Sequence, residues 1–494
     1  MTDAVIGIDI GTSSSKGVLV DLDGAVLATA VRAHAVARPR PGWVEMDAEL
    51  WWDEFVSLAA ELVASTPTAT VVAVGVSGMG PCLAVTDAAG GPLRPAILYG
   101  VDTRATAQIE RLTARFGADR ILARCGSTLS TQSVGPKLAW LADHEPEVFA
   151  ATRRFFMPAS WLVWRLSGSY VLDHESASQC TPLYDTDGHR WYRPWAEAIA
   201  PGIELPELVW ADEQVGSVTG EAARLTGLPS GIPVIAGSID AWTEAVSVGA
   251  QQPGDLMLMY GTTMFLISTL SERISVPGLW GTVGIFPGTR NLAGGMATSG
   301  AITGWLRDLF GSPDYPVLLA EAEVSGPGAG GLLMLPYFAG ERTPIMDPDA
   351  RGLIAGLTLS STRGDLYRAA LEATALGVRH NVEAITGAGA AVERIVAVGG
   401  GTQGALWTQI VSDVLGIAQE IPSVTIGASY GAAFLAARSI EDVSIDSWNP
   451  SADVREPDPS NREGYDDLYA LYRSLYPATR EISHALAARA LPRS

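Results

Sequence analysis

Residues 4–22, AVIGIDIGTSSSKGVLVDL, read as a buried strand ending near Asp9, a polar turn of glycine, threonine and serines, and a second strand running back. After the turn DLDG a third strand, AVLATA, completes a β-meander that opens an α/β domain. Asp9 stands at a strand end beside small hydroxylated residues whose backbone N–H groups can face a phosphate, which suits a nucleotide clamp. An ordinary hairpin turn reads the same way. The pattern is neither GxxxxGK[ST] nor GxGxxG with its following helix, so the common phosphate-loop and dinucleotide fingerprints are excluded.

Outward from this stretch, residues 48–64 read as a helix, VVAVGVSG as a further buried strand, LRPAILYG as another, and residues 104–166 as mainly helical. A second cycle begins near Val234. PVIAGSIDAW ends a strand, and DLMLMYGTTMFLIST reads as two strands around a tight turn, so strand, Gly-Thr and strand recur at Gly11-Thr12 and Gly261-Thr262. The echo suggests a duplicated architecture of two domains, residues 1–246 and 247–494, with the boundary near Ser247. Helices at 362–385, 405–416 and 429–439, a strand at 393–400 and a final helical pattern at 466–491 fill the second half. The proline-rich stretch 448–464 reads as a surface linker.

A chain of 494 residues exceeds one ordinary core, in keeping with two domains. The net charge of -21 argues against a general nucleic-acid or anionic-membrane binder, so any nucleotide site must be built locally. Cys82, Cys125 and Cys180 lie far apart with no CxxC pair, which points to neither a disulfide framework nor a zinc site and fits a reducing cytoplasm. The first residues carry no basic leader region or cleavage pattern, and no apolar run is long enough to span a bilayer. Lys16 and Lys137 are the only lysines among thirty-three basic residues, a skew that fits a preference for arginine codons.

Three further sites invite a chemical reading. Asp240, in AGSIDAWTEA, follows a strand with no basic residue near it in sequence, which suits a general base and equally suits a helix N-cap. Gly261-Thr262-Thr263 and residues 398–404, VGGGTQG, are strand-to-turn glycine sites that either turn the chain or let backbone approach a ligand. The second precedes a helix, whose N-terminus favours anions.

The order of these motifs resembles the FGGY family of carbohydrate kinases over nearly the whole chain. IGIDIGTSSSKGVLVD looks like the family's first phosphate motif, RPGWVEMDAELWWDEF like the segment that follows it, and PVIAGSIDAWTEAVSVGA like the catalytic-aspartate region. Residues 335–385, beginning LPYFAGERTPIMDPDARG, resemble the second signature, and residues 397–422 with GASYGAAFLAA resemble the nucleotide-binding and connecting segments. The resemblance implies two actin-like (ribonuclease H-like) domains with an interdomain cleft, ATP and Mg²⁺ as cofactors, and a cytoplasmic enzyme, with a homodimer common in the family. It implies Asp240 as proton acceptor and Asp9 as the acid that holds Mg²⁺ through water. Gly11, Thr12, Ser13 and Lys16 match the first phosphate turn. Gly261, Thr262, Thr263 and Gly300 match nucleotide-contacting positions, and Gly400, Gly401 and Gln403 match the adenosine side.

The sugar site matches less closely. VGVSGMGPCLAV resembles a region where the xylulose kinases carry Gln-Met-His, but Met79 is followed here by Gly80 and Pro81. AILYGVDTRAT resembles the Trp-Asn-Asp-x-Arg stretch, with Tyr99, Asp102 and Arg104 at the matching positions. GPKLAW also matches, and Lys137 either meets substrate or packs the domain. The implied reaction is phosphoryl transfer from ATP to a sugar hydroxyl, with a ketopentose such as D-xylulose first and another pentulose, a hexulose or a polyol as alternatives. An actin- or Hsp70-like ATPase and a sugar-sensing pseudokinase are the rivals from other classes.

Overall fold

A computed structural model describes residues 2–489, so the last two residues of the 466–491 helical pattern lie outside the described residues. The chain packs as two compact units. Among the described residues the first holds 2–252 and gains 271–291 and 426–450 from later in the chain; the second holds 253–270, 292–425 and 451–489.

In the first unit, Thr2–Ile10, Ser14–Asp21 and Val26–Ala33 form the antiparallel meander, and Thr2–Ile10 also pairs in parallel with Ala69–Gly78. Pro233–Ile235 and Ser238–Ile239 pair in parallel with Ala69–Gly78, and Gln214–Ser217 closes the edge antiparallel to Pro233–Ile235. The central strands are mainly apolar because both faces are covered. One face meets the helix Ala48–Ser65, whose Trp51, Phe55 and Leu58 are buried with Trp161 and Leu162 of the helix Pro158–Ser167. The other face meets the helix Ala428–Arg438, drawn from far along the chain. Gly7 and Gly75 let it lie flush on the sheet, since a Cβ at either would collide with the backbone of that helix.

The second unit repeats the plan. Its strands run in the order Arg290–Met296, Met264–Leu270, Asp255–Tyr260, Arg394–Val398, Gln419–Pro422 and Ser451–Arg455. Asp255–Tyr260 pairs antiparallel with Met264–Leu270 and parallel with Arg394–Val398, as Thr2–Ile10 does with its two neighbours in the first unit. The helix Arg363–Gly387 starts at a reciprocal cap between Thr362 and Asp365 and is buried on most of its circumference. It packs against Tyr315–Ser325 and Ala405–Leu415.

Two expectations are corrected. The stretch 448–464 is no linker: Ser451–Arg455 adds an antiparallel edge strand to Gln419–Pro422, its prolines falling on either side of the strand. LRPAILYG yields only the two-residue strand Ala96–Ile97, because its neighbours turn away to place Tyr99 and Asp102.

Candidate active site

The first unit gathers acids at the carboxyl ends of its parallel strands. Asp9 precedes the last residue of Thr2–Ile10, with Ser77 opposite it on the parallel neighbour and Lys16 opposite it on the antiparallel one. Asp240 opens the helix Asp240–Ser247 directly after Ser238–Ile239, and Glu244 follows one turn later on the same helical face. Asp240 is thus the first helical residue rather than the cap, which is Ile239. Its Oδ1 accepts the Ala241 N–H at 2.8 Å.

Burial and the charge of Asp240 raise the acids around it. Asp9 is pushed well above the usual carboxylate range, first by burial and then by the negative charge of Asp240. Burial also raises Asp240, partly offset by the Ala241 N–H. Glu244 is pushed up to about 7 by burial and by Asp240, with Lys16 pulling the other way. Asp9 Oδ1 is buried without a hydrogen-bond partner among the described residues. An unpartnered hard oxygen in a field of negative charge fits a cation that prefers oxygen ligands and keeps much of its water, as Mg²⁺ does.

The Gly11–Ser14 turn closes through Gly11 N–H to Ser14 O at 3.2 Å. His34 braces it from below, its two ring nitrogens facing the Gly11 carbonyl at 3.0 Å and the Glu54 carboxylate at 2.9 Å. Thr12 Oγ1 lies 2.9 Å from the Tyr99 hydroxyl and 3.7 Å from Met79 Sδ, so a candidate phosphate turn and two candidate sugar-site residues meet. Gly80 packs on Ile239, the residue before Asp240; a Cβ there would stand 2.5 Å from Ile239 Cγ1. Ser13 on this turn and Lys16 in the strand that leaves it are both exposed.

Asp102 and Arg104 form a brace. Asp102 accepts Val44 N–H at 2.7 Å and pairs with Arg104, which also pairs with Glu45 at 2.7 Å and lies over Trp43. The Arg104 side chain is 0% exposed. Lys137 is equally buried, donating to the carbonyls of Pro81 at 3.3 Å and Gln132 at 3.4 Å, and desolvation pulls it down to about 8. It packs beneath the Met79–Pro81 turn.

In the second unit, Gly261, Thr262, Gly300, Gly400, Gly401 and Gln403 all line one cavity of about 650 Å³, within the range of small-molecule sites. Thr263 is not in its lining, but its carbonyl accepts Gly261 N–H at 3.1 Å and closes the turn. The turn docks on the start of the helix Gly300–Leu309: Gly300 donates to Gly261 O at 3.0 Å and Ala301 to Thr262 O at 3.1 Å. A Cβ on Gly300 would stand 2.6 Å from Gly261 O, and one on Gly401 2.8 Å from the Trp407 ring. Residues 400–403 form a 3₁₀ turn, and the α-helix itself begins only at Ala405. The sequence reading missed the apolar wall made by Tyr315, Pro316, Leu319, Tyr367, Leu371 and Trp407. Their spacing is that of core-facing helical positions, and nothing local marks them as lining a cavity.

Comparison with known proteins agrees across both units. Residues 4–247 match the N-terminal domain, and residues 256–440 the C-terminal domain, of the FGGY family of carbohydrate kinases. A crystal structure of xylulose kinase from Rhodospirillum rubrum superposes with a TM-score of 0.91 at 34% identity, covering 97% of this chain and 100% of that one. Xylulose kinase of Staphylococcus epidermidis is 28% identical, covering 97% of this chain and 98% of its own. Glycerol kinase of Nocardia farcinica is 32% identical, covering 91% and 92%.

Proposed function

The chain belongs to the FGGY family of carbohydrate kinases, and on that premise we propose that it transfers the γ-phosphoryl group of ATP to a hydroxyl of D-xylulose or a closely related ketopentose. The observation that carries the reading is Asp240, a partly accessible acid at a strand end, surrounded by other acids and kept basic by burial. Such a carboxylate accepts the hydroxyl proton as the sugar oxygen bonds to the γ-phosphorus. The bond from that phosphorus to the β–γ bridging oxygen breaks and ADP departs. Because a sugar hydroxyl is a very weak acid, the proton leaves during attack rather than before it.

The remaining roles divide by unit. On the first, Gly11, Thr12, Ser13 and Lys16 contact phosphate and Met79, Gly80 and Tyr99 line the sugar, while Asp102 and Arg104 hold the Tyr99 segment in place. On the second, Gly261, Thr262, Gly300, Gly400, Gly401 and Gln403 take the nucleotide, its base against the apolar wall, while Thr263 closes the turn that carries the first two. Asp9 would hold Mg²⁺ through water, and the ion supplies charge neutralisation at the phosphate oxygens. The setting is the cytoplasm, with a homodimer as the assembly.

The test is a coupled ADP-release assay over ketoses, aldoses and polyols. D-xylulose is expected to give the highest kcat/KM. The 32% identity to a glycerol kinase favours glycerol as a second acceptor, and a higher kcat/KM for glycerol than for any ketose would replace the first reading by the second. ADP release independent of every acceptor would overturn both.

A further inference from the structure

Two more acids stand behind Asp240. Asp173 precedes the short helix His174–Ser178 and Glu175 lies within it; they are 3% and 1% exposed. Both reach the hydroxyl of Ser238, two residues before Asp240. Ser238 Oγ lies 2.7 Å from Asp173 Oδ1 and 3.3 Å from Glu175 Oε2. Asp173 Oδ1 also accepts Ser176 N–H at 3.1 Å, and Glu175 Oε1 accepts the Gln179 amide at 2.6 Å.

A serine hydroxyl carries one proton and can donate it once. Given to Asp173 across the shorter contact, it leaves a lone pair facing Glu175 Oε2. Two lone pairs repel, so that contact is a hydrogen bond only when Glu175 itself supplies a proton. We propose that Glu175 is a protonated positioning residue, donating to Ser238 so that the chain Gln179, Glu175, Ser238, Asp173 fixes the turn that presents Asp240.

The surroundings support this. The charged or titratable groups around Glu175 are Asp173 and Asp240, both acidic, with Cys180 influenced by both Asp173 and Glu175, and Lys137 acting on Cys180. Burial and the Asp173 charge raise Glu175 well above the ordinary range, which keeps it neutral while Asp173, raised only to about 6, ionises. On its other side Ser238 is pinned by parallel pairing with Ser77, so the wire and the sheet hold the residue from two directions. One negative charge, not two, then stands behind Asp240, which eases its ionisation.

The catalytic consequence rests on the kinase reading; the protonation does not. Glutamine reproduces a protonated glutamate, accepting from Gln179 through its oxygen and donating to Ser238 through its nitrogen. With the best acceptor found, Glu175→Ala is expected to lower kcat about 10- to 100-fold with little change in KM for ATP, through misplacement of Asp240. Glu175→Gln is expected to recover kcat to within about threefold of wild type. The infrared spectrum of the wild-type protein should contain a protonated-carboxyl stretch that is missing from Glu175→Gln. Failure of glutamine to rescue, or identical infrared spectra in that region, overturns the proposal. Should Glu175→Ala not fold, or no sugar be phosphorylated, the infrared comparison still decides the protonation.

Discussion

The two Gly-Thr turns sit at the same place in the same kind of sheet and have been given opposite chemistry. In the first unit the strand before the turn ends on Asp9, and Asp240 and Glu244 join it from a neighbouring helix. In the second the strand ends on Tyr260, and the turn leads to glycines, aromatic rings and the start of the helix Gly300–Leu309. Even the turns differ, Gly11 bonding to Ser14 and Gly261 to Thr263, one residue shorter. Strand order and register supply the scaffold. What each turn can do follows from the residue types at the strand end and from what the next helix brings. An acid cluster suits proton acceptance beside a cation, whereas backbone N–H groups and rings suit a nucleotide.

Substitutions can break that contrast at each end. The largest effect is expected at Asp240→Asn, with kcat down by on the order of 10²–10⁴ while nucleotide binding, followed by titration calorimetry, stays intact. A variant that turns over normally would remove Asp240 from the base role. Next is Arg104→Ala, which strands a buried Asp102 and should cost about 3–5 kcal/mol of stability, read as a lower melting temperature. An unchanged melting temperature with a raised KM for the sugar would instead make Arg104 a substrate contact.

On the nucleotide side, Gly300→Ala pushes a methyl against Gly261 O and should raise KM for ATP roughly tenfold through a displaced turn, leaving KM for the sugar unchanged. Equal effects on both substrates would blur the division of labour between the turns. The smallest change is expected at Glu244→Gln. A base whose protonation is favoured by burial works only above its raised pKa, so activity rises with pH through that value. Removing the Glu244 charge should move the acid limb of kcat/KM to lower pH by about one unit or less. A limb that moves upward would contradict the like-charge arrangement.

Much of this was legible in residue order alone. The meander at 4–22, its echo at 255–269 and the long helix after Thr362 follow from period and turn chemistry, which act over a few residues. The ends of elements were harder. The edge strand Ser451–Arg455 has Pro450 just before it and Pro457 and Pro459 just after it, and its partner Gln419–Pro422 is remote in sequence, so nothing local distinguishes it from a linker. Asp240 as cap and Asp240 as first helical residue differ by one position, and only the backbone geometry of Ile239 separates them.

The candidate site divides along the same line. By itself the sequence determined which residues could do chemistry: acids after strands, glycines at turns, and the motif order shared with a kinase family. Only the tertiary structure decided which of them meet. It joined Thr12 to Tyr99 across 87 positions, and it closed Arg104 into a brace with Asp102 and Glu45. It also put Asp173 and Glu175, unremarkable in LDHESAS, on the hydroxyl that precedes Asp240. The reason is that ionisation, burial and hydrogen-bond partnership depend on distances set by sheet pairing between remote segments. Residue type alone sets only the ordinary values from which those distances depart.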